Sequence, residues 1–101
     1  MRMIMFVSCP PEPFNTYVRD GSAGAKIQKV LEAMKPEAAY FTAVKGCRGG
    51  AFVVDLASAS DLPRVAEPWF LLFDAKIKVH PVMTPEDLAK SGLDQLGKLW
   101  S

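Results

Sequence analysis

The stretch that decides the fold is SDLPRVAEPWFLLF, residues 60–73, which the sequence predicts to be an apolar helix carrying two prolines. Pro63 stands near the first helical position, after Ser60 or Asp61 as the capping residue, where a missing N–H and a fixed φ cost nothing. Pro68 lies inside the helix, removes one backbone hydrogen bond and is expected to bend it. One apolar stripe follows from the helical spacing, formed by Leu62, Val65, Ala66, Trp69 and Phe73.

Four strand-like segments surround this helix in the sequence. Residues 2–9 are mostly Met, Ile, Phe and Val and end at two prolines, which predicts a first strand buried on both faces. Residues 37–45 and 51–57 flank a glycine-rich loop and predict a β-hairpin. Residues 75–82 alternate between apolar and polar and predict a fourth strand, for which a proline near its end indicates an edge position.

Two further helical segments complete the order of elements. Residues 14–34 have helical spacing up to Pro36 and are interpreted as one long helix, with two shorter helices as the alternative because Gly21 and Gly24 weaken the middle. Thr84 and Pro85 begin a short helix, followed by an amphipathic tail. The order β-α-β-β-α-β with a C-terminal helical extension predicts an α+β fold, a single ferredoxin-like domain over residues 1–101 with an antiparallel sheet in the order 4-1-3-2.

Such a sheet has helices on one face only, so its other face needs a cover. We expect this open face to carry much of the apolar set on the strands. A second sheet is then predicted to cover it, which makes the protein a homodimer through its sheet faces. The residues assigned to the open face are Met3, Met5, Val7, Val44 and Val53.

Composition and charge exclude several classes of function. The net charge is +1 with Lys and Arg scattered, so no basic stripe for nucleic acid is expected. The longest apolar runs are far shorter than a membrane span, which predicts no membrane insertion. One histidine without clustered ligands predicts no metal site. Two cysteines and no recognisable export signal favour the reducing cytoplasm.

The two cysteines are expected to be free thiols. The sequence indicates that Cys9 and Cys47 end the first and second strands, with another strand between them. Two inter-strand spacings are about 9.6 Å, beyond the roughly 7 Å Cα separation that a disulfide tolerates.

Three stretches together resemble small bacterial proteins of the dimeric α/β-barrel superfamily, in particular families of about this length without a known function: PEAAYF (36–41), GCRGGAFVVDLAS (46–58) and EPWFLLFDAKIKVHPVMTPEDL (67–88). The resemblance implies the ferredoxin-like fold and the pairing of two four-stranded sheets in one barrel. It implies no particular activity, because proteins of this superfamily include monooxygenases of antibiotic biosynthesis, haem-degrading enzymes, muconolactone isomerases and relatives of chlorite dismutase.

The antiparallel order predicts a polar cluster at one end of the sheet. Asp55 and His80 end strands that point the same way, with Arg2, Tyr40 and Arg64 near that end. His80, whose ordinary pKa is near 6.5, could act there as a base or a ligand. The alternative is a strand-end histidine bonded to a neighbour or to water.

The two-proline helix offers a second candidate base. If Pro68 bends the helix, Glu67 could face a pocket between helix and sheet and take up a proton. The alternative is a surface ion pair with Arg64 three residues earlier. Haem-degrading members of the superfamily use a Trp, a His and an Asn from the first strand, where this chain has no Asn. We therefore expect no haem and no other cofactor, and Trp69 also fits a plain core position.

The sequence thus predicts a cleft between helices and sheet, lined by aromatic side chains, for a small and partly apolar molecule. If the protein is an enzyme, it is expected to be a cofactor-independent monooxygenase or isomerase, with His80 or Glu67 as base and Tyr40 or Arg48 orienting an oxyanion. The alternative is a dimeric binding or structural module without catalysis. The remaining residues assigned to the substrate side are Asp55, Arg64 and Trp69.

Overall fold

The computed structural model describes all 101 residues. The four strands are β1 (Arg2–Ser8), β2 (Ala38–Val44), β3 (Cys47–Asp55) and β4 (Lys76–Pro81). The five helices are α1 (Pro11–Asp20), α2 (Ala23–Met34), α3 (Leu62–Phe73), α4 (Pro85–Ala89) and α5 (Leu93–Leu99), and a 3-10 turn (Ala59–Asp61) precedes α3.

The strands form one sheet in the order β2-β3-β1-β4, and every neighbouring pair is antiparallel. The predicted ferredoxin-like α+β fold and its strand order are therefore confirmed. Arg2 is paired with Asp55 and Ile4 with His80, so the ends of β3 and β4 lie at the same end of the sheet.

The region predicted as one long helix is two helices, so that interpretation was wrong. The chain leaves α1 at Gly21, whose φ of +83° is in the left-handed region that glycine adopts without steric cost. The N–H of Ser22 then donates to the carbonyl of Tyr17 at 2.9 Å, which satisfies a carbonyl at the end of α1. The break lets α2 take its own direction across the sheet.

The two-proline stretch folds as a turn followed by a helix. The side chains of Ser58 and Asp61 cap the 3-10 turn reciprocally, with the N–H of Ser58 donating to the Asp61 carboxylate at 3.2 Å. Asp61 then directly precedes α3, and Pro63 lies in its first turn as predicted. Pro68 stands inside α3, which nevertheless continues to Phe73 because later residues still form their own hydrogen bonds.

The core lies between the sheet and α1, α2 and α3, and it corrects the faces assigned to β1. Met5 and Val7 are 0% and 1% exposed within this core, and Met3 packs against it, so their assignment to the open face was wrong. The open face of β1 carries Ile4 and Phe6 instead. Strand alternation shows which residues share a face, but in a strand that is apolar on both sides it does not show which face the helices cover.

The assignment of β2 and β3 to faces was correct where it was made. Val53 is paired with Ile4, and Val44 lies on the same face one strand away. The opposite, helix-facing side of β2 is not covered, because Ala39, Phe41 and Ala43 are all exposed there. The sheet therefore has one strand whose apolar helix side is open to solvent.

The chain ends in an arm, residues 83–101, that extends from the domain. Every residue from 85 to 101 is exposed, although α4 begins with a complete capping box between Thr84 and Asp87. The molecule accordingly measures 60 × 28 × 19 Å. No helix of this protein combines the length and the apolar character that crossing a membrane requires.

Candidate functional site: a cleft beside strand β2

An apolar cleft of about 310 Å³ opens between the uncovered side of β2 and the helices. It lies where β2 and β3 meet the first turns of α1 and the middle of α2 and α3. Its lining is mainly aromatic and aliphatic, with a single charged side chain, which is the composition expected of a site for a small organic molecule. The lining residues are Cys9, Phe14, Ile27, Phe41, Thr42, Arg48, Gly49 and Trp69.

The wall of the cleft is built from a chain of aromatic contacts. Phe52 lies between Phe41 and Trp69, with ring centroids 5.5 and 5.3 Å apart. Trp69 is buried, and its indole N–H donates to the sulfur of Met34 at 3.1 Å. This bond fixes the indole from the core side, so the ring is a rigid floor for anything that enters the cleft.

Arg48 is the cation of the cleft, and two contacts from α1 hold it in place. Its guanidinium carbon lies 4.8 Å above the ring centroid of Phe14, and Nη1 donates to Oδ1 of Asn15 at 2.5 Å. A guanidinium has five N–H donors, so these contacts leave others for a ligand. A hollow at the mouth of the cleft shares Arg48, Cys9 and Thr42 with it, which gives the guanidinium access from solvent.

Cys9 lines both this cleft and the hollow at its mouth. Burial raises its pKa to about 11, the neighbouring Cys47 thiol also raises it, and Arg48 opposes the shift. The thiol is therefore protonated at neutral pH and is a poor nucleophile. Cys47 begins β3, which lies beside β1, so the intervening strand assumed from the sequence was wrong; both cysteines are nevertheless free thiols.

Three of the predicted site residues lie on the opposite, open face of the sheet. His80 is exposed, with its ring 6.2 Å from that of Phe6. It borders a shallow hollow of about 520 Å³ together with Lys76 and Lys78. Asp55 binds the N-terminal ammonium of Met1 at 3.1 Å. The hydroxyl-bearing ring of Tyr40 is 71% exposed on the same face, one strand further from His80 than Asp55 is.

Two of the three predicted site residues on α3 do not line the cleft. Arg64 donates to the carbonyls of Ala33 and Met34 at 2.9 and 3.3 Å and so satisfies the end of α2. Glu67 is exposed and forms no ion pair with Arg64, so the surface pair considered from the sequence is not present. The expected polar cluster is thus divided into separate contacts, because Arg2 pairs with Glu37 instead, at 2.8 Å.

The structure brings together two of the predicted residues, Arg48 and Trp69, with others that sequence reasoning missed. Phe14 was recognised only as the start of a helical pattern, and Phe41 only as part of a strand. The signal that could have found Phe41 is an aromatic residue on an edge strand beside a glycine-rich hairpin. No three His, Cys, Asp or Glu side chains lie close enough together to hold a metal ion.

Comparison with known proteins is consistent with the fold. No protein-family model and no curated protein sequence matches the chain. Among solved structures, the chain is similar to the 5-chloro-2-hydroxyhydroquinone dehydrochlorinase TftG from Burkholderia phenoliruptrix AC1100, determined in complex with 2,5-dihydroxybenzoquinone. The two share 15% sequence identity over 85% of this chain and 97% of that chain, with a TM-score of 0.59. The chain therefore shares its fold with an enzyme that acts on a small aromatic molecule.

Proposed function

We propose that this protein binds a small planar molecule bearing an anionic oxygen in the cleft beside β2, with Arg48 holding the oxygen and Trp69 and Phe41 contacting the ring. The observation that carries the proposal is the placement of one anchored guanidinium at the mouth of an aromatic cleft. A guanidinium in such surroundings forms strong, directional hydrogen bonds to an anionic oxygen.

The charge balance of the cleft supports an anionic ligand. Neither the cleft nor the hollow at its mouth is lined by a carboxylate, and Arg48 is the one charged residue that lines both. The raised pKa of Cys9 keeps that thiol neutral, so it does not offset the charge of the guanidinium. Among the residues that line the cleft, an anion therefore meets a positive charge and no negative one, while an organic cation would be repelled.

The size of the cleft indicates the apolar part of the ligand. A volume of about 310 Å³ is at the low end of ligand pockets and suits a single ring rather than an extended cofactor. The ligand of the structurally similar enzyme, 2,5-dihydroxybenzoquinone, is a single planar ring with acidic hydroxyl groups. The same class of molecule satisfies both features of this cleft.

Binding is favoured over acid–base catalysis within one chain. No imidazole or carboxylate lines the cleft, so neither His80 nor Glu67 reaches a ligand there. Arg48 alone supports a reaction in which the substrate arrives already ionised and the protein stabilises its oxyanion. Such a reaction needs neither a cofactor nor a base from the protein.

His80 supports a second candidate, in which an anionic substrate binds on the open face of the sheet. The hollow there combines the imidazole with Lys76 and Lys78 and the ring of Phe6. A partner sheet packed over this face would enclose the hollow and exclude water from it. The homodimer through sheet faces is therefore part of this proposal, and Ile4, Phe6 and Val53 supply the apolar centre of the contact.

The proposal is tested by titrating the protein with 2,5-dihydroxybenzoquinone and following amide shifts by NMR. We expect shifts in the segments around residues 9–15, 41–49 and 69, and we expect Arg48→Gln to weaken binding roughly tenfold or more, because it removes a charged hydrogen-bond donor. Arg19→Gln is the matched control, since Arg19 pairs with Glu12 on the surface of α1.

Two outcomes would refute the cleft as the site. Equal affinity of the Arg48→Gln and Arg19→Gln variants would show that the guanidinium does not hold the ligand. Shifts confined to residues around His80, abolished by His80→Ala, would place binding on the open face instead. An uncharged ring, 1,4-dimethoxybenzene, should bind more weakly than the acidic quinone if the anionic oxygen matters.

A further inference from the structure

The C-terminal arm carries an apolar stripe that nothing in its own chain covers. Leu93, Leu96 and Leu99 recur at three-residue spacing along α5, and Trp100 follows at its end, where it is 81% exposed. Leu88 on α4 is exposed as well. So many large apolar side chains on one short segment mark an interaction surface rather than a solvated tail.

The arm needs a partner surface to keep its helical form. The helices α4 and α5 contain 5 and 7 residues. Isolated helices shorter than about 12–15 residues are marginal in water, because nucleation is costly and few hydrogen bonds follow it. The capping box of α4 helps to start the first helix, but α5 begins at Gly92 with no side-chain cap. In the single chain, α5 therefore has neither a side-chain cap nor a packing surface.

The arm does not pack on its own domain. The radius of gyration is 17.0 Å, whereas a compact domain of this length has about 13 Å. The arm follows β4, at the edge of the sheet opposite β2. Three strand spacings, roughly 14 Å, separate these edges. The arm would have to turn back across the sheet to reach the far edge of its own chain.

The same chain has a surface that lacks a helix. On the helix side of β2, Ala39 and Ala43 are exposed and Phe41 is 53% exposed, beside the cleft. The two small residues flank the aromatic one, so an apolar strip of the strand is left uncovered. This surface is the open wall of the cleft that Phe41 lines.

We infer that the C-terminal arm packs α5 on the helix side of β2 in a second copy of this chain, where it closes the open wall of the partner's cleft. The charges agree with this pairing. The one acid of α5, Asp94 in its first turn, is opposite in charge to Arg48, which no carboxylate of the cleft lining neutralises, and the one lysine of α5, Lys98, lies in its last turn.

A second copy is the occupant that satisfies both surfaces at once. The uncovered helix α5 and the uncovered helix side of β2 lie at opposite edges of one chain. A two-fold exchange therefore covers both surfaces in each copy through two equivalent contacts. The exchange also leaves the open face of the sheet free for the sheet-to-sheet contact. The docking of the arm does not require that any ligand bind in the cleft.

Photo-crosslinking between isotopically distinct copies tests the exchange. Full-length protein with p-benzoylphenylalanine in place of Trp100 is prepared in ¹⁴N and ¹⁵N forms, mixed after unfolding and refolding, and irradiated. We expect mixed-isotope crosslinks from residue 100 to the peptide containing residues 38–44. The same photoprobe at Leu71, which is 79% exposed on α3, is the control and should give no such crosslink.

A second variant separates docking from folding. Leu96→Asp places a charge in the stripe of an exposed helix, so it should abolish the crosslink to residues 38–44 and leave the circular dichroism of the domain unchanged. Crosslinks only within one isotope, crosslinks only to segments other than residues 38–44, or no crosslinks at all would overturn the inference. Failure of the quinone titration with intact crosslinks would instead refute only the proposed ligand.

Discussion

The two faces of the sheet are built by the same strands and differ completely in their surroundings. On the helix side, Met5, Val7 and Phe52 are at most 1% exposed and belong to one core. On the open side, one residue further along β1, Phe6 is 40% exposed. The chain supplies apolar residues for both faces of the sheet but helices for only one.

The same division separates the chemistry of the protein. Arg48 and Trp69 lie on the helix side, inside a cleft, whereas His80 and Asp55 lie on the open side and are reached from solvent. A residue on one face cannot act on a molecule bound at the other, because the sheet lies between them. Each face therefore carries its own candidate function, and substitutions can test the two faces independently.

The largest difference in the free energy of unfolding is expected between alanine substitutions of Phe52 on β3 and Phe6 on β1, which lie on opposite faces of the sheet. Phe52→Ala should lower the free energy of unfolding by about 3–5 kcal/mol, since it leaves a cavity in the core. Phe6→Ala should lower it by less than about 1 kcal/mol in the single chain, but it should weaken the proposed dimer. The free energy of unfolding is measured by urea unfolding at concentrations where the chain is monomeric, and association of the chains is measured by light scattering.

An equal loss in the free energy of unfolding for Phe52→Ala and Phe6→Ala would contradict the difference between the two faces. A Phe6→Leu variant serves as the conservative control, because it keeps an apolar side chain on the open face. Unchanged light scattering in Phe6→Ala would argue that the sheet faces do not form the dimer contact.

The next largest effect is the pH dependence of the free energy of unfolding that arises from the buried thiol of Cys9. Burial raises the pKa of Cys9 from 9.0 to about 11 in the folded state. Between these values the folded chain keeps a proton that the unfolded chain has lost, so stability is present below pH 9 and is lost as pH rises toward 11. The loss is at most about 3 kcal/mol, from two pKa steps of 1.36 kcal/mol each, and screening by solvent reduces it.

Cys9→Ala isolates the contribution of this thiol from those of all other groups. The difference in the free energy of unfolding between wild type and variant should shrink as the pH is raised from 8 to 11, as followed by urea unfolding. A constant difference would mean that the Cys9 thiol ionises as readily in the fold as in the unfolded chain.

The smallest effect is expected for the ion pair of Arg2 and Glu37 at the margin of the open side. Both side chains are more than one-third exposed, so water and salt screen their attraction. A double-mutant cycle with Arg2→Gln and Glu37→Gln should give a weak coupling in thermal unfolding at low salt that vanishes in concentrated salt. A coupling that persists there would indicate a less solvated pair.

Much of the fold followed from local sequence signals. The glycine-rich loop at residues 46–50 located the hairpin, and Pro63 and Thr84 located the starts of helices, because turns and caps depend on a few neighbouring residues. The break at Gly21 was misjudged, since the cost of a glycine inside a helix is small enough for packing to decide either way. The faces of β1 were misjudged because both are apolar.

The candidate site was predicted only in part. The sequence pointed to a cleft between helices and sheet and to Arg48 and Trp69, which do line one cleft. It did not indicate that Asn15 and Phe14 anchor the guanidinium, because that contact joins α1 to β3 across 33 residues. The grouping of His80, Asp55 and Arg64 relied on their sharing one end of the sheet, which does not fix the side of the sheet.

The sequence by itself determined the elements, their order and the residues that alternate together, because these depend on spacing and on the conformations of Gly and Pro. The tertiary structure alone decided which face of each strand the helices cover and therefore which side chains meet in the cleft. It also left β2 uncovered and the arm without a contact in its own chain. The two-proline helix α3 thus supplies Trp69 as the floor of the cleft, while its Glu67 remains in solvent.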